Sequence, residues 1–278
     1  LASKPVMEGK AFLFNKFANI YCFDIEVNES DPEKLADIVC ALEPTFGAIN
    51  LEDIKAPDCF IVEELCRKRM NIPVFHDDQH GTAVVTLAAV RNAGRISGQR
   101  LSQSLVGQVG LGAAGYGIAR LLFARGASRI LGADLDPSAV ARFEELGGEA
   151  SNLERIMAEA EIVIATTGVR GLIKPEMVRP GQVILALTNP DPEIEPATAR
   201  DAGAVFAADG KSINNVLGFP GLFRGALDAR ARRFTDAMLL AAAEAIADTA
   251  DESDLVPDAL DLAVHQAVAE AVKAAAAD

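Results

Sequence analysis

A chain of 278 residues, 50% apolar and 24% charged, is long enough for two domains of ordinary size, each with a buried core. Its formal net charge of −14 leaves no basic surplus to displace counterions, which argues against a nucleic-acid partner and against an anionic membrane surface. No apolar run reaches the roughly 18 residues of a membrane span, so neither a span nor a signal peptide is expected.

Residues 1–86 read as a small α/β unit. Ala11-Phe12-Leu13-Phe14 opens it, and Tyr21 to Val27 alternates as a strand does. Asp31-Pro32-Glu33 starts a helix, with Asp31 as cap and Pro32 in first position; Leu35, Ile38, Val39 and Leu42 give it an apolar stripe. Ala48 to Leu51 is a short strand ending at Glu52-Asp53. Cys59 to Met70 is a helix, and Ile72 to Phe75 a strand ending at Asp77-Asp78. Both acidic pairs then fall where strands hand over to loops, the place where sites collect in open α/β sheets. The four cysteines, Cys22, Cys40, Cys59 and Cys66, form no C-x-x-C pair and are expected to be free thiols in a reducing, cytoplasmic setting. The first residue is Leu1 rather than Met, so the chain reads as a fragment or a processed form.

A helix over 83–98 links to a second unit, 87–278. Strands are expected at Ser104 to Val109, Arg129 to Ala133, Glu161 to Ala165, Gln182 to Leu187 and Ala204 to Ala207. Helices alternate with them; Tyr116 to Arg125 turns Ile118, Leu121 and Leu122 inward. That rhythm implies a doubly wound parallel sheet of the Rossmann type, covered on both faces. From about Arg230 the chain is helical and alanine-rich, through Met238 to Ala250 and Pro257 to Ala277.

Three groups of residues carry chemistry. Val74-Phe75-His76-Asp77-Asp78-Gln79-His80-Gly81-Thr82 sets two carboxylates between two of the three histidines, and Glu52-Asp53 lies upstream in an apolar setting. Acids flanked by apolar residues are costly to bury without a positive partner, so a hard divalent cation is the expected ligand. His76 and His80 are set aside as ligands because such cations prefer oxygen. Gly110-x-Gly112-x-x-Gly115 follows a strand and opens a helix, the context of the dinucleotide fingerprint; a glycine turn needed only for packing is the plainer alternative. Ala113 and Ala114 lie inside the turn, and Asp134 ends the next strand, where an acid meets the ribose 2′-hydroxyl. Asp134, with Asp136 nearby, would repel a 2′-phosphate, which favours NAD and leaves NADP possible only with a basic residue from elsewhere.

Thr166-Thr167-Gly168 either lines the cofactor or is a simple loop. Asn189 in Thr188-Asn189-Pro190 either holds the nicotinamide ribose or a substrate hydroxyl, or shapes a turn before proline. Asn214 and Asn215, in a loop before Gly218-Phe219-Pro220-Gly221, can bind a carboxylate through their amides. Lys10, from its local sequence, reads as a solvated surface group. His265 has no visible partner.

These residues together resemble the malic enzyme family, in particular its short bacterial type. The resemblance is carried by Val6-Met7-Glu8-Gly9-Lys10-Ala11, Pro44 to Asp53, Ile72 to Ala83, the glycine turn, Thr188-Asn189-Pro190 and Asn214 to Gly221, and it spans nearly the whole chain. It implies oxidative decarboxylation of malate to pyruvate and CO2 with NAD(P) and Mg²⁺ or Mn²⁺. It implies Glu52, Asp53 and Asp78 as metal ligands, Lys10 as general base, its pKa lowered by the nearby metal in a closed site, Asp77 as its charged neighbour, and Asn189 and Asn215 as substrate ligands. It also implies a homodimer. The family's catalytic tyrosine belongs to a segment upstream of the lysine. Only Tyr21 and Tyr116 are present and neither fits, so the chain is expected to be N-terminally truncated. Alternatives are a nucleotide- and metal-binding fragment without full catalysis, malolactic conversion with tightly held NAD, and an amino-acid dehydrogenase, which would leave the metal carboxylates unexplained.

Overall fold

The computed structural model describes residues 4–277. In chain order the elements are α1 (Lys4–Ala18), α2 (Pro32–Ala41), β1 (Ile49–Leu51), α3 (Asp58–Arg69), β2 (Val74–His76), α4 (Asp77–Ser97), β3 (Leu105–Val109), α5 (Ala113–Ala124), β4 (Arg129–Ala133), α6 (Pro137–Glu145), β5 (Glu149–Ala150), α7 (Leu153–Glu159), β6 (Ile162–Ala165), β7 (Val183–Ala186), α8 (Pro196–Asp201), β8 (Phe206–Asp209), α9 (Phe219–Asp228), α10 (Asp236–Thr249) and α11 (Leu262–Ala275). The chain divides into two compact units.

The first unit takes residues up to Val84, together with Asn215–Thr249 and the stretch from Pro257. Asp31 caps α2 by accepting from the N–H groups of Glu33 and Lys34, with Pro32 in the first turn as expected. β1 and β2 form a two-stranded parallel sheet with Leu51 opposite His76. Ala36, Val39, Leu51, Val62, Cys66, Met70 and Val74 close the small core beneath it.

The C-terminal helices pack in this unit, whereas the sequence division had assigned everything from residue 87 to the nucleotide domain. The reason is an aromatic cluster gathered from distant parts of the chain. Phe14 meets Phe219 and Phe223 with ring centroids 4.8 and 5.0 Å apart, and Phe75 meets Phe223 and Phe234 at 5.5 and 4.8 Å. His265, which had no visible partner in the sequence, stacks on Phe17 at 4.2 Å and bonds the Ala259 carbonyl.

Three local expectations change. Tyr21 to Val27 is extended but is not a strand. Its alternation points Tyr21, Phe23 and Ile25 outward, and among the described residues no strand pairs with it; alternation without a partner ladder does not make a strand. Phe219–Asp228, to which the sequence pattern assigned no element, is helix α9: Pro220 stands in its first turn, where proline is tolerated. Its glycines allow close packing on α11, since a Cβ at Gly221 would lie 2.7 Å from Val268 Cβ and one at Gly225 2.5 Å from the Ala269 carbonyl oxygen. Finally, Asp77 and Asp78 do not sit in a loop. They form the first turn of α4, directly after β2, where the helix dipole favours negative charge.

The second unit spans Val85–Asn214 with Ala250–Val256. Its six strands are all parallel in the order β5-β4-β3-β6-β7-β8. This is the doubly wound dinucleotide-binding order, and the direction of winding reverses between β3 and β6. Val109, Leu131, Ile156, Val163 and Ile184 belong to the core under one face. Strand β8 begins two residues later than the sequence pattern placed it.

Candidate active site

In the first unit, β2 and the start of α4 bring Asp77 into contact with Lys10 of α1. Lys10 Nζ donates to Asp77 Oδ2 and lies 3.0 Å from Glu52 Oε2, which also accepts from Asn50 at 3.0 Å. Asn215 donates its amide to Asp77 Oδ2 at 2.6 Å. Lys10 is nearly buried and sits 4.5 Å from the centroid of the Phe219 ring, so it is not the solvated lysine of its local sequence.

Asp77 is fully buried, and its Oδ1 has no hydrogen-bond partner. That oxygen folds back over the first turn of its own helix, where a Cβ on Gly81 would collide with it. Gly81 is therefore a site residue that the sequence reading missed. Its signal was a helical glycine one turn after the acid. A second missed pair lies below: His80 Nε2 and Glu63 Oε1 are 2.7 Å apart and both side chains are buried.

Two carboxylates face one ammonium here, and the proton stays on Lys10. Burial works to lower the Lys10 pKa, but Asp77 and Glu52 outweigh it and hold the ammonium above its ordinary value. Burial also pushes the Asp77 carboxyl up, against the pull of Lys10. Glu52 is pushed up to about 8, first by burial and then by the charge of Asp77, with Lys10 opposing.

Folding therefore favours protonated Glu52. That contribution is whole below the ordinary value of 4.5 and is lost as pH rises through about 8. Glu52→Gln, which mimics the protonated form, should melt several degrees above the wild type near pH 9 and level with it near pH 4. Melting curves across that range check this; a wild type that gains on the variant with rising pH would refute it.

Asp53 adopts φ 57, a left-handed conformation that Asp tolerates better than most residues, and its N–H donates to Asp78 Oδ2 at 3.1 Å. His76 Nε2 is 3.8 Å from the same oxygen, and burial keeps the His76 ring below its ordinary pKa and neutral. Among the described residues, no three acidic, histidine or cysteine side chains stand in position to hold one ion, and Glu52 is paired with Lys10. The donor chemistry nevertheless fits a hard cation. Two carboxylates share one ammonium, Asp77 keeps an orphaned buried oxygen, and Glu52 resists ionisation first because it is buried and then because Asp77 is near. A cleft of about 880 Å³ opens over this group, with Lys10, Glu52, Asp53, Tyr21 and Asn50 among its walls; its volume suits a small ligand.

In the second unit the fingerprint glycines each do a separate task. Gly110 has φ +87, and a Cβ there would lie 2.7 Å from the Thr166 carbonyl oxygen. A Cβ on Gly115 would strike the Gly110 carbonyl, so this glycine lets α5 approach β3. Around Gly112 there is nothing within 4 Å, which leaves its face open to a ligand beside the uncapped N-terminus formed with Ala113 and Ala114. Asp134 accepts from Leu111 N at 2.6 Å and Asp136 N at 2.9 Å, which fixes the acid at the turn. Thr166 Oγ1 donates to the Gly110 carbonyl at 3.2 Å, and Asn189 donates to the Gly210 carbonyl at 3.1 Å.

A family profile described as malic enzyme, NAD binding domain, matches residues 206–277. NAD-dependent malic enzyme 1 of Bacillus subtilis is 54% identical over 277 residues, covering 99% of this chain and 63% of that protein. The bifunctional malic/malolactic enzyme of the same organism is 43% identical, over 99% of this chain and 73% of its own length. The chain belongs to the malic enzyme family. The crystal structure of an NAD-dependent malic enzyme from Thermotoga maritima superposes with a TM-score of 0.91 at 40% identity, covering 98% of this chain and 78% of that one. This malic enzyme chain thus spans 63% to 73% of the length of the two curated relatives named.

Within this malic enzyme chain, Lys10, Asp77, Glu52 and Asn215 come together in the first unit. Asp53 and Asp78 stand beside each other there, and Asn189, Asp134, Thr166, Thr167 and the glycine turn lie in the second. The glycine geometry makes a paired prediction. Gly112→Val should leave the melting temperature within about 2 °C and weaken NAD binding by at least about tenfold, whereas Gly115→Ala should destabilise by about 1–3 kcal/mol through overpacking. Calorimetric titration and thermal melts check both; equal effects on folding would refute the assignment.

Proposed function

We propose that this chain carries the metal-dependent oxidative decarboxylation of L-malate to pyruvate and CO2, with reduction of NAD. The observation that supports it most is the buried Lys10–Asp77–Glu52 group, held by Asn215 and surplus in negative charge, in a chain of this family. Glu52, Asp53 and Asp78 would hold Mg²⁺ or Mn²⁺, for which Glu52 turns from Lys10. When bound, the cation polarises the malate 2-hydroxyl and the later carbonyl, and offsets the field that keeps Lys10 protonated.

Lys10, positioned by Asp77 and Asn215, then takes the hydroxyl proton through its Nζ lone pair, while hydride passes from C2 to the nicotinamide. The 3-oxo acid loses its C4 carboxylate as CO2, and C3 gains the one proton that the hydroxyl lost, so the balance is malate and NAD⁺ to pyruvate, CO2 and NADH. Asn215 and Asn189 are proposed to bind the substrate through their amides. Gly110, Gly112, Ala113, Ala114 and Gly115 are proposed to receive the pyrophosphate, with Thr166 and Thr167 lining the dinucleotide site. Asp134 would bind the ribose hydroxyls, and with Asp136 nearby this favours NAD over NADP. A cytoplasmic homodimer is part of the same reading; it rests on the family likeness, and solution molar mass tests the dimer.

The test supplies malate, NAD and Mn²⁺. NADH is expected to form, to stop on chelation and to be abolished in Asp78→Ala; undiminished turnover without a divalent cation would overturn the reading. Because one relative is named a malic/malolactic enzyme, lactate is measured beside pyruvate.

A further inference from the structure

The second unit holds a buried carboxylate that the proposed chemistry does not use. Glu193 has no solvent exposure. Its Oε1 accepts from Thr167 N at 2.6 Å, Thr167 Oγ1 at 2.8 Å and Thr188 Oγ1 at 2.5 Å, and its Oε2 accepts from Thr188 N at 3.4 Å. The two threonines pass the connection on. Thr188 Oγ1 accepts from Gly168 N at 2.9 Å, and Thr167 Oγ1 accepts from Val169 N at 3.1 Å. Thr167 follows β6 and Thr188 follows β7, so one side chain ties together the loops at the C-terminal ends of two neighbouring strands. β6 is one of the two strands flanking the point where the winding reverses, beside the glycine turn.

A carboxylate buried with several donors is held firmly, and its removal strands all of them. We infer that Glu193 is a positioning residue for the dinucleotide: it sets the β6 and β7 loops as one surface and spends the N–H groups of Thr167, Gly168 and Val169 inside the protein. This inference rests on the nucleotide reading of the unit.

The inference also divides the labour between loops. Backbone N–H groups that follow a parallel strand are a ready anion nest, and here three consecutive ones are occupied. The Thr167 hydroxyl both donates to Glu193 and accepts from Val169, so it has no proton for a phosphate. Phosphate recognition then falls to the N-terminus of α5, while the β6 and β7 loops give shape to the rest of the dinucleotide site. The sequence carried only a faint signal, an acid shortly after Asn189-Pro190 in a polar loop.

The test uses the full chain and three readouts: NAD affinity by calorimetry, amide exchange of residues 167–169, and thermal melting. Glu193→Gln keeps an oxygen where three donors converge and should bind NAD within about threefold of the wild type. Glu193→Ala should weaken NAD binding by at least about tenfold and speed exchange at Thr167, Gly168 and Val169 by a similar factor. If Glu193→Ala fails to melt cooperatively, Thr188→Val decides: it removes the hydroxyl that holds Gly168 N and should weaken NAD binding several-fold with a folded protein. Rescue by glutamine, with affinity lost in alanine, is what a residue serving stability alone would not give. Wild-type affinity and wild-type exchange in Glu193→Ala, or unaltered affinity in Thr188→Val, would overturn the inference while leaving the nucleotide site standing. A wild type that does not bind NAD would overturn the nucleotide reading and this inference with it.

Discussion

Replacing Lys10 with alanine should lower kcat for malate oxidation by about three orders of magnitude, within the span expected for a lost general base. The same change leaves Asp77 and Glu52 buried without their cation, so it should also destabilise the protein near pH 8 by roughly 3–5 kcal/mol, the usual result of removing one partner of a buried pair. Lys10→Arg separates the two effects. A guanidinium keeps the charge and restores much of the stability, but it does not give up its proton, so kcat stays low. Stability and turnover should therefore part company in arginine and fall together in alanine. NAD affinity, which the proposed reading assigns to the second unit, should be unchanged in both. Turnover of Lys10→Ala within tenfold of the wild type would remove Lys10 from the reaction.

Gly81→Ala is the second change with a large expected effect, and its sign is unusual. In most helix interiors alanine stabilises relative to glycine by about 1 kcal/mol. Here the new methyl would collide with Asp77 Oδ1, which has no exposed space to move into. The variant should lose about 1–3 kcal/mol by overpacking, and moving the Asp77 carboxylate should disturb its bonds to Lys10 and Asn215. A fall in kcat of at least about a hundredfold is expected, since displaced catalytic groups cost that much. A Gly81→Ala protein as stable and as active as the wild type would show that Asp77 has freedom the structure denies it. Adding Asp77→Asn to the pair tests the coupling: if Gly81 acts only through Asp77, the double variant should be no slower than the slower single one.

Local features were legible where their causes are local. Asp31 and Pro32 mark the start of α2 because cap and first turn are set by neighbouring residues. The glycine turn was legible for the same reason, as the positive φ of Gly110 and the approach of Gly115 to the Gly110 carbonyl arise within one strand-turn-helix segment. The parallel, doubly wound sheet followed from the alternation of strands and helices. What the pattern did not carry depends on distant partners. The segment Tyr21 to Val27 has a strand's alternation without a strand's neighbour. The C-terminal helices join the first unit through rings at Phe14, Phe75, Phe219, Phe223 and Phe234, and no window of sequence contains that cluster.

The site shows the same limit. The acids Glu52, Asp77 and Asp78 stood out as charges in apolar runs. Lys10 did not, because its burial is created by Asp77 and Phe219, far along the chain. Without a cation, Asp77 and Glu52 hold the Lys10 ammonium above its ordinary pKa, a balance set by side chains that no local window around Lys10 contains. Gly81 and Glu193 were missed because their meaning lies in what touches them.

The account's central claim is tested most directly by product stoichiometry. With malate labelled with ¹³C at C4 and with deuterium at C2, NAD, Mn²⁺ and the protein, the expected result is one labelled CO2, one pyruvate and one deuterated NADH per malate consumed, with no lactate. Lactate without net NADH, oxaloacetate without labelled CO2, or unlabelled NADH would contradict it.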